Sequence, residues 1–347
     1  MFKEYTACVQ REIAFVKDQF SNCIFDTVYI GGGTPSYFEV DLLTTLINSM
    51  QSNFNINPHA EFTVEANPDS VTENFADSLS HCGVNRISLG LQSAYDTTLK
   101  KINRPHTHID FIKAVKIISK RFVNFNVDIL LGLPHMTRAE VRDTLNLALI
   151  SKANHISLYG LILERGTPLY NQVKRGEIVL PDDEFTADMY DFASKILLKN
   201  GFDRYEISNF AKSGYSCKHN LNYWNRGEYL GLGLAAHSFY DGKRYENTKS
   251  LSKYIYEINA NRLPSEKVTK IKGKEAYFEF VILALRKKEG FAEKDFLNSF
   301  GGSFFDVYNN QFQTLSKKGL LKYKEGRIFI PQQDIYISNQ IMVEFVP

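Results

Sequence analysis

Short apolar runs alternate with helical patterns along the first two thirds of the chain, and this alternation limits the fold more than any other feature. The runs are rich in β-branched and aromatic residues and are bounded by glycine, proline or asparagine, as strands are. The stretches between them are long enough for crossover helices, so we expect a parallel sheet and an α/β fold. The predicted strands are Thr27–Ile30, Glu61–Ala66, Arg86–Leu91, Asn126–Leu131, His155–Leu161 and Tyr205–Ser208.

Helix signals lie between these strands. Thr34 and Pro35 resemble a helix start, with a capping hydroxyl before a proline at the first helical position. Thr137 and Glu140 have the spacing of a capping box. A further helix is predicted to end before Gly201, because four apolar residues share one helical face: Phe185, Met189, Phe192 and Ile196.

The pattern changes after about residue 240, which predicts three parts: residues 1–240, a connecting segment 241–263 and a module 264–347. Helical patterns at Glu275–Leu285 and Phe304–Lys318 precede a hairpin across Lys324-Glu325-Gly326. Helices followed by a small hairpin are typical of a winged-helix-like α+β module. Its small excess of basic residues and lack of an arginine cluster favour a packing or lid role over DNA binding.

Composition excludes several classes of protein. A net charge of +2 argues against nucleic-acid and membrane-surface partners. No apolar run is long enough to span a bilayer and no signal-peptide pattern is present, so we expect a cytoplasmic protein. The cysteines are too widely spaced for a thiolate motif, so the residues themselves predict no iron–sulfur site: Cys8, Cys23, Cys82 and Cys217.

The carboxyl ends of the predicted strands carry glycines and polar residues, and these ends point the same way. Because the carboxyl ends of parallel strands meet at one side of a sheet or barrel, we expect these residues to share a pocket. They are Gly31, Gly32, Gly33, Thr34, Glu65, Asn67, Gln92, Ser93, Asp128, Tyr159 and Glu164. The glycine run lacks the residues of a phosphate loop, and Gly231–Ala236 fits dinucleotide spacing without a preceding strand.

A series of short motifs spans nearly the whole chain: Gly31–Ser36, Glu65–Asp69, Asn85–Ser93, Arg104–His106, Asp128–Pro134, His155–Tyr159, Tyr205–Phe210, His219–Trp224 and Tyr229–Gly233. In this order they resemble the oxygen-independent coproporphyrinogen III oxidases and their haem-chaperone relatives, within the radical S-adenosylmethionine (SAM) family. The resemblance implies a partial β/α barrel with parallel strands that binds SAM inside its mouth.

By motif position, the implied SAM site consists of Gly32, Gly33, Thr34, Glu65, Gln92, Arg104 and Asp128. The residue types suit SAM, because carboxylates accept hydrogen bonds from its ammonium and ribose groups and an arginine pairs with its carboxylate. The ordinary alternative for Glu65 and Asp128 is a helix cap or a surface ion pair. Their shared position at the predicted mouth favours the ligand role.

In the haem-chaperone branch the resemblance singles out the segment from His219 to Trp224. His219 would ligate haem iron, while Tyr223 and Trp224 would pack on the macrocycle. Cys217 is another soft ligand close by. An alternative stays equally open, in which this is a polar core loop and His219 bonds to backbone. No catalytic residue is assigned.

The chain departs from the family pattern at one point. Family members hold a [4Fe–4S] cluster with Cys-x3-Cys-x2-Cys after a first barrel strand, whereas Met1–Val16 matches the helix after that loop. We therefore expect the chain as written to lack that strand, to bind no cluster and to expose a sheet edge. A misassigned start or a truncated gene is favoured over a cluster-free paralogue.

The leading hypothesis is a cytoplasmic haem chaperone of the radical-SAM class that binds haem and SAM and delivers haem to acceptor proteins such as respiratory enzymes. One alternative is an oxygen-independent coproporphyrinogen III oxidase in porphyrin biosynthesis, and another is a cluster-free binding or regulatory paralogue. A chaperone is favoured over an enzyme, and a homodimer stays open.

Overall fold

The computed structural model describes all 347 residues and has a seven-stranded sheet as its main element. Its first five strands are parallel and lie in sequence order, so each crossover leads to the neighbouring strand. The sheet is curled and open, which makes it a partial β/α barrel, as predicted. The parallel strands are β1 (Ile24–Ile30), β2 (Asn55–Ala66), β3 (Arg86–Gln92), β4 (Asn124–Leu131) and β5 (His155–Gly160).

A large apolar core lies between this sheet and the helices that connect its strands. Leu89 of β3 and Val127 of β4 are fully buried there. The whole of β3 is buried, because a parallel strand in the middle of a covered sheet has no solvent-facing side. The helices of this part are α1 (Phe2–Val16), α2 (Val40–Asn53), α3 (Glu73–His81), α4 (Asp96–Lys101), α5 (His108–Ile118), α6 (Arg138–Ile150), α7 (Pro168–Lys174) and α8 (Asp183–Lys199).

The last two strands of the sheet differ from the prediction. Tyr205–Ser208 is not a strand but a turn between β6 (Asp203–Arg204) and β7 (Asn209–Ala211). The Glu206 carboxylate accepts a hydrogen bond of 2.9 Å from the Ser208 N–H, which stabilises the turn. Because β7 pairs antiparallel with β5, the expectation of a fully parallel sheet is wrong at this edge.

The helix signals are confirmed in part. Thr34 makes no capping hydrogen bond, and Pro35–Tyr37 forms a 3₁₀ turn before α2 begins. Thr137 caps α6 as predicted, but the Glu140 carboxylate accepts from the Ser93 hydroxyl at 2.6 Å instead of completing a capping box. The predicted helix before Gly201 is confirmed as α8.

A second, antiparallel sheet of three strands follows the short helix α9 (Lys218–Trp224). It consists of β8 (His237–Tyr240), β9 (Lys243–Asn247) and β10 (Ser265–Lys270), with α10 (Leu251–Asn259) before the last strand. Glu12 of α1 connects this part to the first helix. Its carboxylate accepts from the Gly233 N–H in the loop before β8, at 2.7 Å, and from the Tyr254 hydroxyl of α10, at 2.6 Å. Gly231–Ala236 is therefore a loop held by α1, with no helix after it.

The C-terminal module consists of α11 (Lys274–Ala284), β11 (Phe291–Ala292), α12 (Glu293–Phe300), α13 (Phe304–Lys317), β12 (Lys322–Lys324), β13 (Arg327–Phe329) and α14 (Ser338–Val343). Its own phenylalanine-rich core and three-stranded sheet confirm the winged-helix-like prediction. The predicted connecting segment 241–263 contains β9 and α10, and the division of the chain into three parts stays a prediction. None of the helices combines the length and apolarity that crossing a bilayer requires.

The C-terminal module contacts the main sheet and α9 along a seam. Arg204 donates to both the side chain and the carbonyl of Gln332, at 2.8 and 2.6 Å. Arg226 pairs with the largely buried Glu279 at 2.9 Å. Lys288 donates its backbone N–H to the Tyr205 carbonyl at 3.0 Å. We use the word seam below for this contact between residues 204–226 and the C-terminal module.

Candidate functional site

A cavity of about 360 Å³ opens at the carboxyl ends of the parallel strands, and we call it the mouth pocket. Its volume lies in the range of small-molecule sites. All five parallel strands contribute to it, so the predicted convergence of strand ends is confirmed. The lining residues are Tyr29, Gly33, Thr34, Glu65, Ala66, Asn67, Ser88, Gly90, Gln92, Arg104, Asp128, Leu130 and Tyr159.

Glu65 lies near the end of β2, beside the glycine run Gly31–Gly33. Its carboxylate accepts from the Tyr29 hydroxyl at 2.7 Å and from the Gly32 N–H at 3.2 Å. A Cβ on Gly31 would lie 2.6 Å from the Glu65 carboxyl carbon, so a side chain at position 31 would collide with this carboxylate. Burial raises the pKa of Glu65, against the lowering effect of its bond to Tyr29.

Asp128 forms the floor of the pocket. Its carboxylate accepts from Asn126 Nδ2 at 2.7 Å and from the Ser88 hydroxyl at 3.1 Å. Burial raises the pKa of Asp128, and these two hydrogen bonds oppose that effect. The pocket therefore presents two carboxylates that can accept hydrogen bonds from a cationic or hydroxylated ligand.

Arg104 supplies the positive side of the pocket. Its guanidinium makes one long contact of 3.5 Å, to Asn67 Oδ1, and forms no ion pair. It is therefore free to pair with a carboxylate of a ligand. Gln92 lies at the end of β3 with φ of +63°, a left-handed conformation that is costly for a residue other than glycine and typical of functional sites.

Four predicted mouth residues do not line the pocket, and two important ones were missed. Ser93 is buried against Glu140, and Gly31, Gly32 and Glu164 lie outside the pocket lining, although the Gly32 N–H reaches the lining residue Glu65. Tyr29 was missed because it belongs to an apolar run inside β1. Ser88 could have been found, since it alternates with Gly90 and Gln92 on one face of β3.

A buried chain of hydrogen bonds leads from the floor of the pocket to the start of α9. Asn126 Oδ1 lies 2.6 Å from His155 Nδ1, and His155 Nε2 lies 2.8 Å from the Tyr205 hydroxyl. That hydroxyl accepts from the Cys217 N–H at 3.2 Å. Burial holds the pKa of His155 well below its ordinary value, so the ring is neutral at pH 7.

Glu61 caps the first turn of α9 from inside the barrel. One carboxylate oxygen accepts from the His219 N–H at 3.0 Å and from the Cys217 thiol at 3.3 Å, and the other accepts from the Lys218 N–H at 3.0 Å. Burial raises the pKa of Cys217 to about 12. The thiol is fully buried and donates to Glu61, so it is not open to a ligand in this arrangement.

His219 lies beside the mouth pocket. Its ring stacks on Tyr29, which lines the pocket, with 5.1 Å between ring centres. Nδ1 lies 2.8 Å from the Thr27 hydroxyl and Nε2 lies 3.0 Å from the Tyr223 hydroxyl, so both nitrogens face side chains and not backbone. Burial lowers the pKa of His219 to about 4, which leaves the imidazole neutral.

The residues present fit SAM but do not fit an iron–sulfur cluster. The mouth pocket combines two acceptor carboxylates, an unpaired arginine and exposed glycine backbone, which matches the ammonium, ribose and carboxylate groups of SAM. No group of three His, Cys, Asp or Glu side chains has the arrangement of a metal site.

Comparisons with known proteins give a consistent result. The model of the Radical SAM superfamily matches residues 8–148, and that of the HemN C-terminal domain matches residues 271–337. A protein named Heme chaperone HemW from Lactococcus lactis is 35% identical over 92% of this chain and 84% of its own length. The proteins of the same name from Bacillus subtilis and Escherichia coli are each 32% identical, over 99% and 85% of this chain and 91% and 77% of their own lengths.

One solved structure is similar over the whole fold. It is described as coproporphyrinogen III oxidase (HemN) from Escherichia coli, a radical SAM enzyme. The TM-score is 0.87 with 19% identity, and the match covers 99% of this chain and 83% of the other. At this identity the similarity shows a shared fold.

Proposed function

Because the chain belongs to the HemW family of radical SAM proteins, we propose that it binds haem beside α9, binds SAM in the mouth pocket and delivers the haem to acceptor proteins. The observation that carries this proposal is the stacking of His219 on Tyr29. Tyr29 belongs to the pocket and His219 to α9, so the two candidate ligands would share a wall. Membership of the superfamily implies SAM and a [4Fe–4S] cluster as family cofactors.

The proposed SAM site consists of Gly32, Gly33, Thr34, Glu65, Gln92, Arg104 and Asp128. SAM would bring an ammonium, a carboxylate, a sulfonium and a ribose diol to this pocket. Glu65 and Asp128 are held by neighbouring donors and keep further lone pairs for the ligand, while Arg104 has no competing ion pair. Titration calorimetry of SAM with Glu65→Ala and Asp128→Ala should give weaker binding than wild type. The exposed Glu73→Ala is the control, and unchanged affinity in both pocket variants would exclude this site.

The proposed haem site consists of His219, Tyr223 and Trp224. A neutral imidazole is the form that ligates iron, and the low pKa of His219 keeps it available at neutral pH. Its Nε2 is engaged by the Tyr223 hydroxyl, so ligation requires that contact to open. We therefore expect His219→Ala to lose the Soret shift of bound haem and Tyr223→Phe to bind haem at least as tightly as wild type.

A haem titration followed at the Soret band tests this assignment. The phenylalanine variant keeps the aromatic ring and removes only the competing hydroxyl, so it is matched to the alanine variant in position. Identical spectra and affinity for wild type and His219→Ala would remove His219 as the ligand.

The acceptors and the compartment are part of the proposal. We propose that the recipients are haem proteins such as respiratory enzymes and that delivery takes place in the cytoplasm, with a homodimer as one form of the protein. Mixing haem-loaded protein with an apo-acceptor should transfer the Soret band to the acceptor faster than free haem loss allows. In a second arrangement, a dialysis membrane that only free haem can cross separates the two proteins. Equal rates of haem transfer in the two arrangements would contradict delivery by direct contact.

A further inference from the structure

Arg286, in the seam just after α11, is a largely enclosed cation without a partner. The centre of its guanidinium lies 4.3 Å from the centre of the Trp224 ring. Its Nε is fully enclosed and has no hydrogen-bond partner, and no acidic oxygen lies within the 4.0 Å limit of an ion pair. The indole Nε1 of Trp224 is likewise enclosed without a partner.

Two arginines in or next to the seam are neutralised by a carboxylate, whereas Arg204 bonds to Gln332 without one. Arg226 and Arg244 both lie on the ring of Phe239, at 4.7 and 5.7 Å. Both pair with Glu279, at 2.9 and 2.8 Å. Arg226 and Arg244 therefore each have a carboxylate beside the aromatic ring on which they lie, whereas Arg286 has none.

A second cation lies next to Arg286. Lys287 is buried and donates from Nζ to Asn225 Oδ1 at 2.5 Å, without an ion pair. Burial lowers the pKa values of both Arg286 and Lys287. The C-terminal end of α9 attracts cations only weakly, whereas taking a charge out of water carries a much larger cost. The helix end alone does not account for two desolvated cations.

The position of Arg286 connects it with the proposed ligands. Glu206 is the carboxylate whose charge acts on Arg286, and the nearby hydroxyls of Tyr190 and of Tyr159, which lines the mouth pocket, are neutral at pH 7. Trp224 is five residues along α9 from His219, which corresponds to a rise of about 7.5 Å and a rotation of about 140° around the helix axis, so the two side chains leave the helix on different faces. This separation is comparable with the distance from the iron of haem to the edge of its ring, where the propionates are attached.

We infer that Arg286, stacked on Trp224 and flanked by Lys287, forms a subsite for a ligand carboxylate, and that this carboxylate is a propionate of haem. The inference rests on the proposed function. A guanidinium pairs with a carboxylate through two parallel hydrogen bonds, and the two terminal nitrogens of Arg286, which unlike Nε are not fully enclosed, supply the donors for such a pair. The macrocycle would then extend from His219 across α9 toward the seam.

Glu206 is the competing explanation for Arg286. One of its carboxylate oxygens accepts from the Ser208 N–H, and the other is enclosed without a partner. Glu206 is also the strongest acidic influence on Arg286, although the two form no ion pair. If Glu206 were the counter-ion, removing its charge would destabilise the protein and leave haem affinity unchanged. If it instead competes with a ligand carboxylate, Glu206→Gln should tighten haem binding.

The test compares haem with haem dimethyl ester, in which both propionates are uncharged. Wild type, Arg286→Gln and the exposed neighbour Lys288→Gln are titrated with each compound at the Soret band in the same buffer. We expect Arg286→Gln to bind haem about tenfold more weakly, as for one lost charge-assisted hydrogen bond, and the ester as well as wild type does. Lys288→Gln should match wild type with both compounds. Equal losses for haem and ester, or no loss for haem, would overturn the inference.

Two further measurements separate this inference from the proposed function. Calorimetry with SAM should give the same affinity for wild type and Arg286→Gln, and a loss confined to SAM would assign Arg286 to the SAM carboxylate instead. Thermal unfolding without ligand should show Arg286→Gln to be at least as stable as wild type, because it removes an unpaired charge. A clear loss of stability would make Arg286 a structural residue, whatever the outcome for haem. Absence of haem binding by wild type would instead refute the proposed function.

Discussion

Asp128 lies in the candidate site, and burying its carboxylate lowers the free energy of unfolding of the protein. Its carboxylate is desolvated and accepts two hydrogen bonds, but it forms no ion pair. An asparagine has the same shape and can keep both contacts, because the Ser88 hydroxyl can accept as well as donate. We therefore expect Asp128→Asn to stabilise the ligand-free protein by about 1 kcal/mol at neutral pH while weakening SAM binding.

The gain from Asp128→Asn should depend on pH. Burial raises the pKa of Asp128 above the ordinary carboxyl value of 3.8, so the folded state holds this proton more tightly than the unfolded state. The penalty in wild type is absent below the unfolded value and develops as the pH rises toward the folded value. Urea unfolding between pH 3.5 and about 7 should therefore show a difference between variant and wild type that grows with pH and then levels off. The exposed Asp188→Asn is the control, and a difference that shrinks as the pH rises would contradict this account.

Individual site residues were predictable where their position depends on strand direction. Glu65, Gln92 and Asp128 lie in the carboxyl-terminal halves of three consecutive parallel strands, and parallel strands bring their carboxyl ends to one edge whatever the details of packing. The side chain of Ser93 points away from the pocket, and this could not be predicted because it depends on a hydrogen bond to Glu140, which is 47 positions away.

At the scale of elements, α9 is too short to be stable on its own and depends on Glu61. Three donors from the first turn of the helix converge on this one carboxylate. Glu61→Gln replaces one accepting oxygen by an amide group that can only donate, so it leaves at least one N–H or thiol facing another donor. We expect a loss of about 2 kcal/mol in the free energy of unfolding and faster hydrogen exchange at Lys218 and His219.

Hydrogen-exchange mass spectrometry across α9, together with urea unfolding, measures both effects. Glu73→Gln on the exposed first turn of α3 is the matched control, since it also removes one carboxylate near a helix start. Unchanged exchange at α9 in Glu61→Gln would show that the helix does not depend on this cap.

The prediction of a strand at Tyr205–Ser208 was wrong for a local reason that the sequence pattern does not show. Alternating Tyr205 and Ile207 is what a half-buried strand would show. The turn is instead stabilised by Glu206 and by pairing of β7 with β5 in the opposite direction. A pattern of period two predicts an extended run but gives neither its direction nor its partner.

At the scale of the whole molecule, the parallel direction of the strands could be predicted from the recurring strand–helix pattern, but the contacts of the seam could not. Arg226 and Glu279 are 53 positions apart, and Arg204 and Gln332 are 128 apart. No periodicity connects such residues, so their pairing depends on how two separately packed cores meet.

We expect the two cores to unfold in one calorimetric transition, because Arg204 joins them through two short hydrogen bonds to Gln332. Arg204→Ala removes both bonds and should cost about 3 kcal/mol at this contact. The C-terminal module should then unfold at a lower temperature than the sheet, and the transition should broaden or divide.

Differential scanning calorimetry at one heating rate measures this, with Arg175→Ala as the control because Arg175 and its partner Glu177 are both exposed. Two resolved transitions in wild type would show that the seam does not couple the two cores.

The place of Arg286 in the seam has a consequence for the amount of this protein in the cell. A ligand that binds there touches both cores, so its concentration enters the folding equilibrium of the entire chain by mass action. At a free ligand concentration of 100 times Kd this linkage is worth about 2.7 kcal/mol. Cells short of ligand would then degrade the chain faster, and its steady-state abundance would follow the amount of cargo available.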